Sequence, residues 1–319
     1  MEMLKIFKGA LSFEIDKEGF ITPCRFTKKQ LKIYEAKPNR LYAKANAGIL
    51  MEFYTDCEEI SFSYKMNYAW TNMFEDSTPT FDIFENDTLT LSKELCISDL
   101  GNTHSVKYHC ESAKTKKITI VFPSNAILSV GDFSLGNYKP AQTSDGTFLV
   151  LGDSVSQGLL NNSASNNYPF LLKRFLNFDY INQGVGGDSF ASNALDDIGY
   201  TPDFSIIALG TNDMVFTNNL EKTKVHIHTF FDAYSKLYKN VKTFVITPIW
   251  LTDSKENPER FKLLADISKE IEKTAKSYGY VYIDGQALIP HDKRYYSDEA
   301  HPNDLGFSHY ALNLVKFIQ

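Results

Sequence analysis

Residues 148–158 read FLVLGDSVSQG: four apolar residues, a glycine, an acid and a serine, then a second glycine four positions beyond that serine. A short, wholly apolar run closed by glycine fits a strand buried on both faces. The segment after it has the composition of a turn into a helix, which places Ser154 at the junction. Downstream, apolar runs at 180–182, 204–209, 243–247 and 280–283 alternate with helical patterns, the clearest at 220–238 and 258–278, and 302–318 reads as a last helix. Such an alternation implies a parallel sheet covered by helices on both faces. Ligands of open parallel sheets bind beyond the carboxyl ends of the strands, so motifs directly after strands bear most on function.

Upstream the periodicity is different. Segments 49–55, 59–66, 80–84 with 88–91, and 117–122 alternate with period two and are rich in β-branched and aromatic residues. Turn chemistry such as Asn86-Asp87 and Gly101-Asn102 separates them, and helical patterning is scarce. Short strands at roughly regular spacing suggest a β-sandwich of jelly-roll type. The polar, Pro- and Gly-containing stretch 137–146 marks the change, giving an accessory domain over 1–140 and a catalytic domain over 141–319. A chain of 319 residues suits two cores of that size.

The 43% apolar and 23% charged fractions are those of a globular protein, and the net charge of −6 with no Lys/Arg stripe argues against nucleic acid or an anionic membrane as partner. A small neutral substrate fits better. The N-terminus is broken by Glu2, Glu14 and Asp16 before an apolar run of leader length develops, and no segment approaches a membrane span, so a cytoplasmic location is expected. Cys24, Cys57, Cys96 and Cys110 show neither a C-x-x-C pair nor zinc-finger spacing and read as free thiols, with disulfides as the alternative in an exported protein.

A serine hydroxyl needs a neighbouring base, itself held in one tautomer by a third group, before it can attack a carbonyl. Asp298-Glu-Ala-His301-Pro, after the last strand and before the last helix, supplies His301 as base and Asp298 to orient it. Acyl transfer also develops an oxyanion, which calls for preorganised donors. Two loops that follow strands offer them: Asn182-Gln-Gly-Val-Gly-Gly187, where backbone can approach a ligand closely, and Gly210-Thr-Asn212-Asp, with its neutral carboxamide.

The four blocks GDS(x)3G, N-x-G-x-x-G, G-x-N-D and D-x-x-H-P, in this order, resemble the SGNH, or GDSL, hydrolases. The resemblance implies a flavodoxin-like three-layer α/β/α domain with Ser154 as nucleophile, His301 as base and Asp298 as its orienter. It implies an oxyanion hole formed by the N–H groups of Ser154 and Gly187 and the side chain of Asn212. Ser156 is a competing hydroxyl, but the family's register favours Ser154. A β-sandwich ahead of an SGNH domain is similar to the arrangement of carbohydrate acetylesterases such as those of carbohydrate esterase family 2. That implies an O-acetylesterase acting on an acetylated sugar, with no metal and no organic cofactor. The alternatives are a short-chain lipid esterase or lysophospholipase, a thioesterase, and a carbohydrate-binding protein with an inactive SGNH half. Trp250, after the fourth strand, is expected to stack on a sugar or wall an acyl pocket. Trp70, Tyr68 and Phe74 could reach the site from the first domain. Chain length and the β-domain are compatible with a homo-oligomer.

Other patterns give less. Gly184-Val-Gly186 with Asp203 fits a dinucleotide fingerprint poorly, because Ser189 stands at its third glycine and Asp203 begins a strand instead of ending one. His226 and His228, two apart on a helix, face different ways. His104, His109, His291 and His309 have no partner pattern, and Asp153 and Asp213 read as a helix cap and a loop support.

Overall fold

The computed structural model describes residues 2–70, 78–141, 144–190, 194–253 and 256–319. Phe74 and part of the 137–146 boundary lie outside the described residues.

The first half contributes β1 (Phe7–Lys8), β2 (Ser12–Ile15), β3 (Ile21–Cys24), α1 (Lys28–Tyr34), α2 (Arg40–Lys44), β4 (Leu50–Thr55), β5 (Glu59–Ala69), β6 (Thr80–Glu85), β7 (Thr88–Glu94), β8 (Thr103–His109), β9 (Lys116–Val121), β10 (Ala126–Ser134) and β11 (Lys139–Pro140). They form two antiparallel sheets, one in the order β1-β4-β9-β6-β7 with β11 beside β4, the other β2-β3-β10-β5-β8. Alternate residues of both sheets, among them Phe53, Phe62, Phe81, Ile83, Ile118, Ile120 and Leu128, are buried in one core. This is the sandwich that the period-two patterning predicts.

The second half contributes β12 (Gly146–Gly152), α3 (Ser154–Gln157), α4 (Tyr168–Leu176), β13 (Phe178–Gly184), β14 (Phe204–Ala208), α5 (Thr211–Thr217), α6 (Leu220–Leu237), β15 (Lys242–Ile246), α7 (Pro258–Ser277), β16 (Val281–Ile283) and α8 (Asp304–Ile318). Its sheet is parallel, in the order β13-β12-β14-β15-β16. The first strand lies inside and the second outside it, which is the flavodoxin-like order with a switch point at β12. Phe148 and Val150 face one layer, with α4 and α8, while Leu149 and Leu151 face the other, with α6 and α7. That two-sided burial is why the strand reads as uninterrupted hydrophobicity.

The two halves share core. Leu50, Phe84 and Val121 of the first antiparallel sheet belong to the same buried cluster as Phe170 of α4, with the Phe84 and Phe170 rings 5.6 Å apart. Lys173 of α4 bridges Glu52 of β4 and Asp179 of β13. The four cysteines are unpaired, and burial pushes the Cys24 thiol up to about 11. Among the described residues no helix is long and apolar enough to cross a membrane.

Two helices in the first half depart from the expectation that helix is scarce there. The signal for α1 is local: Thr27-Lys-Lys-Gln30 forms a capping box, in which the Thr27 side chain accepts from the Gln30 N–H and the Gln30 side chain from the Thr27 N–H. These helices, inserted between β3 and β4, reach across to the carboxyl ends of the parallel strands.

Candidate active site

Ser154 is the first residue of α3, directly beyond β12. Asp153 caps that helix by accepting the Val155 N–H at 3.0 Å, and burial pushes its carboxyl up to about 6 against the opposing pull of that hydrogen bond and of His301. The helix ends after one turn at Gly158, at φ +84°, where a side chain would meet Asn167. The turn is thereby fixed at both ends, with the Ser154 hydroxyl between them.

His301 lies 147 residues further on, yet its Nε2 is 2.9 Å from Ser154 Oγ. Its Nδ1 is 2.8 Å from Asp298 Oδ2, and Asp298 Oδ1 accepts the N–H groups of Ala300 and His301 at 2.8 and 2.7 Å. Burial alone would raise the Asp298 carboxyl, but the His301 contact and these two N–H groups outweigh it and hold the acid below the ordinary carboxylate range. The loop is pinned by Ser297, whose N–H donates to His301 O. The structure thus joins serine, imidazole and carboxylate in one hydrogen-bonded chain.

Gly187 and Asn212 line the same cavity as Ser154 and His301. One Asn212 Nδ2 hydrogen donates to Asp188 O at 2.9 Å, which fixes the carboxamide and leaves its second hydrogen for another acceptor. The rest of the N-x-G-x-x-G block is structural. Asn182 donates to Ser156 O and accepts from Gly184 N, while Gly186 N donates to Gln157 Oε1 at 2.7 Å, so the loop is laced to α3. A Cβ at Gly184 would lie 2.5 Å from Gln157 N. Asp213, wholly buried, accepts Phe190 N and supports the same loop; burial, then Asp188 and Asp153, push it up to about 7.

The cavity encloses about 560 Å³. Tyr42, Pro38, Leu159 and Phe216 give it a mainly apolar wall, with Lys37, Asn39 and Asp188 as polar groups. Tyr42, Pro38, Lys37 and Asn39 come from α2 and the turn before it, so the first half of the chain builds part of the wall. Trp70 stands behind Tyr42, ring on ring at 4.5 Å and 12°, and Tyr68 meets Trp70 edge-on. Trp70 therefore backs the wall without lining it. Sequence reasoning missed Tyr42, Pro38 and Phe216; the Thr27 capping box was the available sign that a helical insertion precedes β4.

Trp250 is a correction. It does not line this cavity: its ring stacks on His291 at 5.2 Å and meets Tyr296 edge-on, within the packing beneath the last helix. Ser156 is buried and bonded to the Tyr168 hydroxyl at 2.8 Å. Asp203 accepts Thr147 N at the amino end of β14, far from the switch point. His226 approaches Asp213 and His228 pairs with Glu270; among the described residues no cluster of three His, Cys, Asp or Glu side chains could hold a metal.

Comparison with known proteins locates this arrangement. The sequence profile of the GDSL-like Lipase/Acylhydrolase family matches residues 150–308. No curated protein matches the chain by sequence. Among solved structures, the salicylyl-acyltransferase SsfX3 from a tetracycline biosynthetic pathway superposes with a TM-score of 0.84 at 16% identity, over 98% of this chain and 93% of its own. A GDSL-like lipase from Bacteroides ovatus gives 0.78 at 16% identity, over 98% and 94%. A family two carbohydrate esterase from Clostridium thermocellum, solved with cellohexaose, gives 0.67 at 14%, over 98% and 97%. At these identities the likeness is one of fold, and it spans both halves of the chain.

Proposed function

This chain belongs to the GDSL-like lipase/acylhydrolase family of ester-hydrolysing enzymes, and we propose that it cleaves its ester through an acyl-enzyme on Ser154. The observation that supports this most is the hydrogen-bonded chain from Ser154 Oγ through His301 to Asp298. With Nδ1–H held by Asp298, Nε2 of the neutral imidazole accepts the Ser154 proton as Oγ attacks the carbonyl carbon. The N–H groups of Ser154 and Gly187 and the second Nδ2 hydrogen of Asn212 would receive the oxyanion. Collapse then breaks the C–O bond to the leaving alcohol, which takes the proton from Nε2. Water, giving its proton to the same nitrogen, attacks the acyl-enzyme and releases the acid and Ser154.

For the substrate, our reading is the O-acetyl ester of a carbohydrate. A sandwich ahead of an SGNH domain is also the build of a carbohydrate esterase solved with cellohexaose. Tyr42 and Phe216 offer the aromatic faces on which a pyranose can stack. A second reading is an ester with a larger apolar acyl group, and it is favoured by a cavity with apolar walls and more room than acetate requires. In either case the free acid is the product when water is the acceptor.

The experiment is release of acid from acetylated mono- and oligosaccharides alongside p-nitrophenyl acetate, butyrate and octanoate, with Ser154→Ala in parallel. Release from sugars that falls sharply beyond acetate supports the deacetylase. Turnover that improves from acetate to octanoate with inert sugars favours the larger acyl group. Labelling of wild type and Ser154→Ala alike by a fluorophosphonate, or of neither, would refute Ser154 as nucleophile.

A further inference from the structure

Arg25 is 1% exposed, and its guanidinium is divided among backbone carbonyls from both halves of the chain. Nε donates to Ala45 O at 3.0 Å and Nη2 to Tyr42 O at 2.6 Å, both at α2. Nη1 donates to Asn182 O at 2.8 Å and also to Gly184 O, in the last residues of β13 before the glycine loop. Burial works against the charge, and Tyr34 and Asp188 are the groups that offset it. A buried cation is a poor way to glue two surfaces, since a well-packed apolar residue would do so at lower cost. What a planar fork of five donors supplies is geometry: it fixes several carbonyls relative to one another.

Those carbonyls frame the loop that holds Gly187. On its other side the loop is laced to α3 through Asn182 and Gly186, with Gly184 N donating to Asn182 Oδ1 inside it, and Asn39 reaches Gly186 O at 3.3 Å. Nearby ties follow the same direction: Gln30 donates to Gln183 Oε1 and Ala194 O, and the Tyr34 hydroxyl to Asp188 Oδ2 at 2.6 Å. We propose that Arg25 is a positioning residue for the glycine loop, so that the oxyanion donor at Gly187 is held in place only while the first half of the chain is docked through α1 and α2. The proposal rests on the reading of Gly187 as an oxyanion donor. It makes the N-terminal half part of the catalytic apparatus rather than an appended binding module.

The test compares Arg25→Met, Arg25→Lys and Glu52→Gln with wild type in full-length protein, by steady-state hydrolysis of p-nitrophenyl acetate and by hydrogen–deuterium exchange over residues 184–188. Glu52→Gln weakens a different contact between the halves, the one to Lys173. Arg25→Met should lower kcat about 10- to 100-fold, as for a misplaced oxyanion donor, with KM altered less than about threefold. The pH profile should keep its shape, because His301 and Asp298 sit on another loop. Exchange over 184–188 should quicken about tenfold or more, Arg25→Lys should recover part of both effects, and Glu52→Gln should leave kcat and the loop unchanged. Equal losses in Arg25→Met and Glu52→Gln, or wild-type exchange and kcat in Arg25→Met, would overturn the proposal. If Arg25→Met does not fold, Arg25→Lys decides: it keeps the charge and loses the fork, and wild-type values in it are an overturning result. A wild type without Ser154-dependent turnover would defeat the catalytic reading instead, and the exchange measurement would still report whether Arg25 holds the loop.

Discussion

Asp298 is bound twice by His301: its Oδ2 faces the ring Nδ1 at 2.8 Å while its Oδ1 accepts the backbone N–H of the same residue at 2.7 Å. The acid therefore fixes both the tautomer of the imidazole and the turn that presents it. In Asp298→Asn the amide nitrogen can face Nδ1, which favours the tautomer with the proton on Nε2, where the Ser154 proton has to go. We expect kcat/KM for p-nitrophenyl acetate to fall by about three to four orders of magnitude with the fold retained by circular dichroism. A fall of less than tenfold would mean that Asp298 is not the orienting group.

The two serines of the GDSVSQG block predict opposite outcomes. Ser154 Oγ meets His301, whereas Ser156 Oγ is buried against the Tyr168 hydroxyl. Ser156→Ala should keep turnover within about threefold of wild type but lower stability by about 1–2 kcal/mol, because the Tyr168 hydroxyl loses a buried partner. Ser154→Ala should do the reverse. Chemical denaturation and ester turnover on both variants check the pair.

Why some of this was legible and some not follows from where the information lies. The parallel sheet could be read because β12 and β14 are buried on both faces, so Phe148 to Leu151 show no alternation. That Ser154, Asn212 and His301 would meet at one cavity was legible because each lies beyond the carboxyl end of a strand of such a sheet, where ligands bind. The cavity wall was not. Tyr42 and Lys37 lie more than a hundred residues before the serine, in an insertion whose short helices α1 and α2 are held by tertiary ties such as Arg25 and Gln30 more than by periodicity. Trp250 was misplaced for the converse reason: a residue after a strand emerges at the ligand-binding edge, but its ring packed sideways against His291 and Tyr296.

Asn212→Ala removes the Nδ2 group proposed as an oxyanion donor and its bond to Asp188 O. Loss of one oxyanion donor typically costs about 100- to 1,000-fold in kcat with little change in KM. The same variant should slow fluorophosphonate labelling of Ser154 without abolishing it, since Ser154 and its hydrogen bond to His301 remain. Unchanged kcat would remove Asn212 from the oxyanion hole.

Asp213 predicts a pH-dependent stability. Its folded carboxyl, pushed up to about 7 chiefly by burial, starts from 3.8. Between those values the unfolded chain gives up a proton that the folded one keeps, so the contribution of Asp213 to stability is fully present below about pH 4 and is lost as pH rises through 7. Asp213→Asn, which can still accept from Phe190 N, removes that decline. We expect the variant to be more stable than wild type by on the order of 2 kcal/mol at pH 8, and to show little difference at pH 4. Thermal melts at both pH values measure this, and an equal change at both would mean that titration is not the cause.

Trp70 does not reach the cavity but lies flat against Tyr42, which does, with 4.5 Å between ring centroids. An aromatic pair of this kind is worth about 0.5–1.5 kcal/mol beyond the area it buries. If Tyr42 contacts the substrate and Trp70 only holds it there, either residue changed to alanine should raise KM for p-nitrophenyl butyrate about 3- to 10-fold and leave kcat nearly alone. The double variant should then be little worse than Tyr42→Ala, because Trp70 has nothing left to hold. Effects that multiply instead would mean that the two rings act separately, with Trp70 touching the substrate through a movement of the wall.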